Sequence, residues 1–259
     1  MNNKLDFVIH SSDEICEIRK AARIAAEVRE KLRQIVIPGM NTADIDELAN
    51  RLILQAGAVS AFYGYRDFPG HICISVNDEV VHGIGVKDKV VQNGDLLSLD
   101  IGVDIGGFIG DTAISFVVGS KPILRHVRFL LEKTHEALIA GINAAKSGNR
   151  VRHISEAIQK VADNAKLGIV REYVGHGVGK KLHEPPEIPN FISSNSGPIL
   201  QNGMILAIEP MFNLGTHKVK VDKDNWTVRT CDGKLSAHFE HMILINDDKP
   251  EVLTWPKMM

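Results

Sequence analysis

The sequence has no uninterrupted apolar run of about 18 residues, the length that a membrane-spanning helix needs. Its three cysteines are far apart and form no Cys-x-x-Cys pair, which favours reduced thiols in a reducing compartment. The formal net charge is only −2, so no excess of one sign draws the chain to nucleic acid or to anionic membrane. The first residues, MNNKLDFVIHSSDE, lack the basic start and apolar core of a signal peptide. These absences predict a soluble cytoplasmic protein.

What is present is a chain that can bury a large core: 259 residues, 44% of them hydrophobic, enough for one large domain or two small ones. Apolar periodicity and capping signals predict four helices. They run from a Ser11 cap with Glu14 at capping-box spacing to Pro38-Gly39, from a Thr42 cap to Gly57, from Pro122 to Gly148, and from Val151 to Lys166.

The clearest strand signal is a hairpin around Gly106-Gly107, a pair that suits a two-residue type I′ turn. With that turn, Asp100 opposes Ala113 and Asp111 opposes Gly102. The two aspartates then lie diagonally on one face of the hairpin, whereas a slip of one residue would put them on opposite faces. Further strands are predicted at 72–76, 204–209, 226–230 and 238–245.

A short pattern occurs twice, as QNGDLLSLD at 92–100 and as QNGMILAIE at 201–209. In both copies an acidic residue, Asp100 or Glu209, ends a buried type of strand. Two pairs of helices, each with such a strand, predict a pseudo-twofold domain with its site between the halves.

Candidate metal ligands lie in strand and turn contexts: Asp100, Asp111, His176, Glu209 and Glu240. The apolar surroundings of Glu209 and Glu240 make a carboxylate costly unless it is paired or metal-bound. Such a ligand set favours hard or borderline divalent cations, and two of them would activate a bridging water for hydrolysis. The plain alternative is that the acids pair with arginines, although the strands that hold them contain only Arg229.

Three histidines in loops are weaker candidates when each is taken alone: His82, His176 and His183. The string GHGVG around His176 lacks the spacing of a dinucleotide-binding loop and leads into His-Glu-Pro-Pro instead of a helix, so that interpretation is rejected.

Taken together, these motifs resemble the type I methionine aminopeptidase family over nearly the whole chain. The matching strings are AVSAFYGY (58–65), CISVNDEVVHGIG (73–85), QNGDLLSLDIGV (92–103), GDTA (110–113), GHGVGKKLHEPPEIPN (175–190), NGMILAIEPM (202–211), WTVRT (226–230) and LSAHFEHM (235–242). The resemblance implies a single catalytic domain over residues 1–259 with the α/β (α+β) "pita-bread" fold, a curved pseudo-twofold antiparallel sheet backed by four helices.

The resemblance also implies a role for each site residue. Asp111 and Glu240 would bridge two divalent cations (Co, Mn, Fe or Zn), Asp100 would bind one of them, and His176 and Glu209 the other. His183 would steady the developing oxyanion, His82 would contact the scissile nitrogen, and Glu209 would shuttle a proton. The methionine pocket would be lined by Tyr65, Phe68, Cys73, Leu182 and Trp226.

The implied reaction is removal of the initiator methionine from nascent proteins and peptides that have a small second residue. The enzyme is expected to be a cytoplasmic monomer, with a transient ribosome contact through basic positions. Those positions are Lys121, Arg125, Arg128, Lys218, Lys220 and Lys223. They are more typical of ordinary solvated faces.

Two positions depart from the family pattern. Leu182 stands where an aromatic residue is common, and His238 stands where a glutamine is usual two residues before the last ligand. The rival enzymes are Xaa-Pro dipeptidase and aminopeptidase P, which share the fold but usually carry a large N-terminal domain. The rival of another class is a binding module on this fold that has lost its metal ligands, whereas all five are present here.

Overall fold

A computed structural model of the chain describes residues 7–255. Its helices are α1 (Ser12–Ile35), α2 (Thr42–Gln55), α3 (Arg125–Ala144) and α4 (Val151–Ala165), with a 3-10 turn at Tyr65–Asp67. Its strands are β1 (Val59–Ser60), β2 (Cys73–Val76), β3 (Glu79–Val81), β4 (Leu96–Ile105), β5 (Phe108–Val117), β6 (Gly168–Ile169), β7 (Gly175–Gly177), β8 (Glu184–Ile188), β9 (Ile205–Ile208), β10 (Met211–Asn213), β11 (Val219–Val221), β12 (Val228–Thr230), β13 (Ser236–His238), β14 (His241–Leu244) and β15 (Glu251–Val252). In this part of the chain, no helix is long and apolar enough to cross a membrane.

Strand β4 is the centre of the first half, where it pairs with β1, β2 and β5. The second half holds a five-stranded sheet in the order β15-β14-β9-β7-β8. Both sheets are antiparallel. Helices α1 and α2 share a core with β2 and β4, and α3 and α4 share another with β9. The predicted mixed α/β architecture with antiparallel sheets is therefore confirmed.

The β4–β5 hairpin has the predicted register, in which Asp100 pairs with Ala113 and Gly102 with Asp111. Its turn residues Gly106 and Gly107 have φ of 63° and 82°, the left-handed values that a type I′ turn requires. The turn therefore sets the register that brings the two aspartates to one face.

The two copies of the repeated pattern fold alike. Gly94 and Gly203 both take a left-handed backbone, with φ of 102° and 87°, and a core strand starts two residues after each. Asp100 lies within β4, whereas Glu209 directly follows the last residue of β9. The two halves thus present their acids from equivalent strands.

Two predicted helix starts are wrong. The N-cap of α2 is Asn41, whose side chain accepts a hydrogen bond from the Asp44 amide at 2.9 Å, and the Thr42 hydroxyl instead bonds Val86. Helix α3 begins at Arg125 and not at Pro122, because Leu124 is still extended with ψ of 143°.

Two predicted strands are shorter or broken. The strand predicted over 226–230 begins only at Val228, since the Asp224 side chain accepts from the amides of Trp226 and Thr227 and holds them in a turn. The strand predicted over 238–245 is interrupted between β13 and β14. Glu240 lies in that interruption.

Helix α1 lies unusually close to β5. A methyl group on Gly110 would meet the Ala21 carbonyl oxygen at 2.3 Å and the Ala22 nitrogen at 2.7 Å. These neighbours are backbone atoms of a helix, which cannot yield as the end of a side chain can. Only glycine at this position permits the observed spacing.

We expect Gly110→Ala to lower the free energy of unfolding by about 1–3 kcal/mol, the usual cost of overpacking. The matched control is Gly141→Ala in α3, where the new methyl group would meet flexible ends of Ile158 at 3.0 Å and alanine is the better helix former. Chemical denaturation of both variants measures the difference. Equal stability of Gly110→Ala and wild type would contradict the close packing.

Candidate metal centre and substrate pocket

A cavity of about 580 Å³ opens beside the strands that carry the candidate acidic ligands. Every site residue predicted from the sequence lines it: Tyr65, Phe68, Cys73, His82, Asp100, Asp111, His176, Leu182, His183, Glu209, Trp226 and Glu240. The structure therefore brings the whole predicted set to one place.

Five elements supply the candidate ligands. Strands β4 and β5 carry Asp100 and Asp111, β7 carries His176, the end of β9 carries Glu209, and the break before β14 carries Glu240. The His176 Nε2 atom is 3.5 Å from Glu209 Oε1 and 3.9 Å from Asp111 Oδ2. Ligand atoms of Asp111, His176 and Glu240 all lie within 4.8 Å of one another.

The four carboxylates lack compensation for their charge. Buried oxygens of Asp100, Asp111 and Glu240 have no hydrogen-bond partner among the described residues. Burial, and next the charge of neighbouring carboxylates, raises the pKa of each of these acids and of Glu209 well above its ordinary value. Carboxylate oxygens and one imidazole nitrogen are donors that divalent cations accept. The residues present therefore fit a divalent metal.

His176 is oriented as a ligand. Its Nδ1 lies 2.9 Å from the Gly177 carbonyl oxygen, so Nδ1–H donates there and the Nε2 lone pair faces the carboxylates. Burial, and next the neighbouring His183, lowers the pKa of His176 to about 3, which keeps the imidazole neutral at physiological pH. A metal would find an available nitrogen at this position.

His183 and His82 also line the cavity. The His183 ring is 4.3 Å from that of His176, and its Nδ1 is 2.8 Å from the Tyr65 hydroxyl oxygen. His82 has a left-handed backbone (φ 57°) and an edge-on contact with Trp226. Burial lowers the pKa of both histidines to about 4, so both are neutral near pH 7.

The remaining residues form an apolar slot. The rings of Phe68 and Trp226 meet edge to face at 5.1 Å, and Cys73 and Leu182 are buried beside them. Burial, and next the charge of Asp100, raises the pKa of the Cys73 thiol, which therefore stays neutral. Such a slot suits a flexible apolar side chain.

His238, which departs from the family pattern, lies directly behind Glu209. Its Nε2 is buried and is 3.4 Å from Glu209 Oε2. The Glu209 carboxylate thus lies between two imidazoles, with one oxygen near His176 and the other near His238.

Several residues around the site were not identified from the sequence. Phe62 and Tyr173 line the cavity, and Glu184 supports the loop that carries His183. Glu184 accepts hydrogen bonds from the Lys180 and Lys181 amides, and its other oxygen is 3.4 Å from His10 Nε2. Because Tyr173 is two residues before the GHGVG string, its place in the cavity lining could have been predicted from the sequence. No sequence signal near His10 or Glu184 indicates that these two residues meet.

The model of metallopeptidase family M24 matches residues 16–247. Methionine aminopeptidase 1 of Bacillus subtilis is 47% identical over 237 residues, which are 92% of this chain and 94% of that protein. The crystal structure of methionine aminopeptidase from Thermotoga maritima superposes with a TM-score of 0.92 at 38% identity, over 96% of this chain and 99% of that one. Prolidase from Pyrococcus furiosus, at 22% identity and a TM-score of 0.78 over 97% of this chain and 66% of that one, shares the fold.

We expect Glu240→Gln to stabilise the metal-free protein at neutral pH and to weaken metal binding. Because the pKa of Glu240 is raised on folding, its contribution to stability is full below the ordinary carboxyl pKa and is lost as the pH rises. The gain in melting temperature should therefore be larger at pH 7.5 than at pH 4.5. The difference should be a few degrees if the substitution changes the free energy of unfolding by about 1 kcal/mol more at the higher pH.

The measurement is thermal unfolding of chelator-treated protein at both pH values, followed by addition of Mn²⁺ or Co²⁺. The control is Glu156→Gln, an exposed residue of α4 paired with Arg152. A gain from Glu240→Gln that does not grow with pH, or an unchanged response to metal, would refute the expected electrostatic role.

Proposed function

The chain belongs to metallopeptidase family M24 and to its methionine aminopeptidases, and on that premise we propose how its own residues remove an N-terminal methionine. The enzyme is a metal-using hydrolase of the pita-bread fold that acts on polypeptides with methionine at their N-terminus. The observation that carries the assignment of roles is the shared cavity of five ligating side chains, two neutral histidines and an apolar slot. We take residues 1–259 as one catalytic domain.

We propose that Asp100, Asp111, His176, Glu209 and Glu240 would together hold two divalent cations. The unpartnered oxygens of Asp100, Asp111 and Glu240 support this assignment. When bound, the cations would supply Lewis-acid activation of water and polarisation of the scissile carbonyl. Co, Mn, Fe and Zn all accept this set of donors, so the identity of the metal is a matter for measurement.

Glu209 is proposed as the proton carrier of the reaction. A carboxylate oxygen of Glu209 would accept a proton from the attacking water and return it to the leaving amine. In the metal-free protein, burial and the neighbouring Asp111 raise the pKa of Glu209, and its position in the cavity beside the other candidate ligands supports the proposed role. His238 Nε2, 3.4 Å from Oε2, limits how this carboxylate can turn.

His183 is proposed as the donor to the developing oxyanion. If the Tyr65 hydroxyl donates to Nδ1, the imidazole carries its proton on Nε2 and can donate it to the scissile carbonyl oxygen. The low pKa of the ring, about 4, supports a neutral donor at working pH. His82 is proposed to contact the nitrogen of the scissile bond.

The methionine side chain is proposed to occupy the slot formed by Tyr65, Phe68, Cys73, Leu182 and Trp226. An unbranched thioether can follow such an irregular apolar surface and contact its aromatic rings. We assign the preference for a small second residue of the substrate from membership of the methionine aminopeptidase family.

The proposed partners are nascent polypeptides, met in the cytoplasm by a monomeric enzyme that contacts the ribosome transiently. The free thiols of Cys16, Cys73 and Cys231 support a reducing compartment. The basic positions suggested for ribosome contact are exposed: Lys121, Arg125, Arg128, Lys218, Lys220 and Lys223.

Metal-dependent turnover of Met-Ala-Ser tests the proposed function, with Met-Leu-Ser and Leu-Ala-Ser as controls for the second and first residue. Metal-free protein would be titrated anaerobically with Mn²⁺ or Co²⁺. We expect methionine release from Met-Ala-Ser to far exceed cleavage of either control. Preferential cleavage of Met-Pro or other Xaa-Pro peptides would instead indicate the rival peptidases, and metal binding without any cleavage would indicate a binding module.

Tyr65→Phe tests the role of the His183 tautomer. Loss of one positioning hydrogen bond should lower kcat about 2–10-fold, with KM and bound metal nearly unchanged. His183→Ala should lower kcat about 10²–10³-fold, as loss of an oxyanion donor does. The matched control is Tyr63→Phe, an exposed tyrosine that stacks on His71. Wild-type kcat in Tyr65→Phe would show that the phenol does not position His183.

A further inference from the structure

A second groove opens beside the catalytic cavity. It measures about 730 Å³ and adjoins that cavity, because Val174, Pro185 and Glu187 line both. Its other walls are the start of α4 and the loop of residues 189–198. A polypeptide whose first residue fills the cavity can continue past Val174, Pro185 and Glu187 into this groove.

The groove carries two arginines that are fixed by neutral partners. The Nη1 of Arg150 donates to the Gly197 carbonyl oxygen at 3.0 Å, and the guanidinium of Arg171 lies 5.4 Å from the centre of the Phe191 ring. Within residues 7–255 neither arginine forms an ion pair with a carboxylate. Both side chains are exposed, and their positive charge is available to a ligand.

The strand beside the groove cannot take up a peptide simply by adding a strand. Strand β8 is at the edge of the five-stranded sheet, but Pro185 and Pro186 have no N–H to donate to a neighbour. Recognition along this edge therefore relies on side chains, and the charged side chains that line the groove are Glu187, Arg150 and Arg171.

We propose that this groove is a subsite for the downstream part of the substrate polypeptide, and that Arg150 and Arg171 favour acidic residues there. The inference rests on the proposed function and extends it to residues beyond the second. Because Glu187 lies on the wall shared by the cavity and the groove, acidic side chains are favoured only farther along the chain, after a neutral stretch.

The test compares the metal-loaded enzyme on three peptides, Met-Ala-Ser-Gly followed by Asp-Asp-Asp, Ser-Ser-Ser or Lys-Lys-Lys. At low salt we expect kcat/KM for the acidic peptide to exceed that for the basic one about three- to tenfold, mainly through a lower KM. This is the gain in affinity expected if Arg150 and Arg171 each form one exposed ion pair with the acidic peptide. The difference should shrink with added salt. Equal kcat/KM for all three peptides would overturn the proposal.

Variants assign the effect to the groove. Arg150→Gln together with Arg171→Gln should abolish the preference for acidic residues, so that the acidic, neutral and basic peptides are cleaved with similar kcat/KM. Arg152→Gln is the matched control, since Arg152 is also exposed on α4 but pairs with Glu156 and does not line the groove. A preference that persists in the double variant, or that is lost equally in Arg152→Gln, would refute the role of the groove.

The two proposals fail in different ways. A failed subsite leaves metal-dependent cleavage of Met-Ala-Ser intact, whereas a failed function abolishes it. In the latter case, fluorescence anisotropy of the labelled acidic and basic peptides still measures whether binding depends on Arg150 and Arg171. If the double substitution weakened binding of RNA but not of the acidic peptide, the groove would serve another polyanion and the proposal would be wrong.

Discussion

The structure depends on the gathering of four carboxylates at one cavity, where Asp111 and Glu240 are buried and Asp100 and Glu209 are partly buried. Burial raises the pKa of Asp100, Asp111, Glu209 and Glu240, and mutual repulsion adds to the effect. Such an arrangement is unfavourable unless cations neutralise it, since isolated buried charges are costly. The surrounding strands must therefore be rigid enough to hold like charges together before any cation arrives.

That rigidity comes from both halves of the fold. The type I′ turn at Gly106-Gly107 fixes the register of the hairpin, and the close approach of α1 at Gly110 supports it from behind. The second half contributes Glu209 at the end of one strand and Glu240 where two strands are interrupted. Each half supplies only part of the ligand set, which explains why the site lies between them.

Around the acids, the histidines are kept neutral by burial, and this determines what they can do. His176 presents a lone pair to the carboxylate cluster, while Tyr65 fixes the orientation of the His183 ring. Farther out, Glu187 lies on the wall shared by the cavity and the groove, and the groove itself carries Arg150 and Arg171. This distribution of charge supports the proposed division into a metal site, a neutral substrate pocket and an outer groove for the rest of the polypeptide.

The sequence by itself determined what depends on local chemistry. The hairpin register follows from two adjacent glycines, and the start of α1 follows from the capping box of Ser11 and Glu14. The equivalent positions of Asp100 and Glu209 follow from a pattern that occurs twice in the sequence. Features that depend on distant contacts were predicted wrongly. Asn41 and not Thr42 caps α2, because the Thr42 hydroxyl bonds Val86, and the strand predicted over 238–245 is interrupted at Glu240.

Only the tertiary structure decided which distant side chains meet. The contacts of His10 with Glu184 and of His238 with Glu209, and the groove lined by both Arg150 and Arg171, join segments whose sequences carry no signal of one another. The physical reason is that these contacts follow from how helices and sheets pack, which depends on the shape of the whole core and not on the residues next to each side chain.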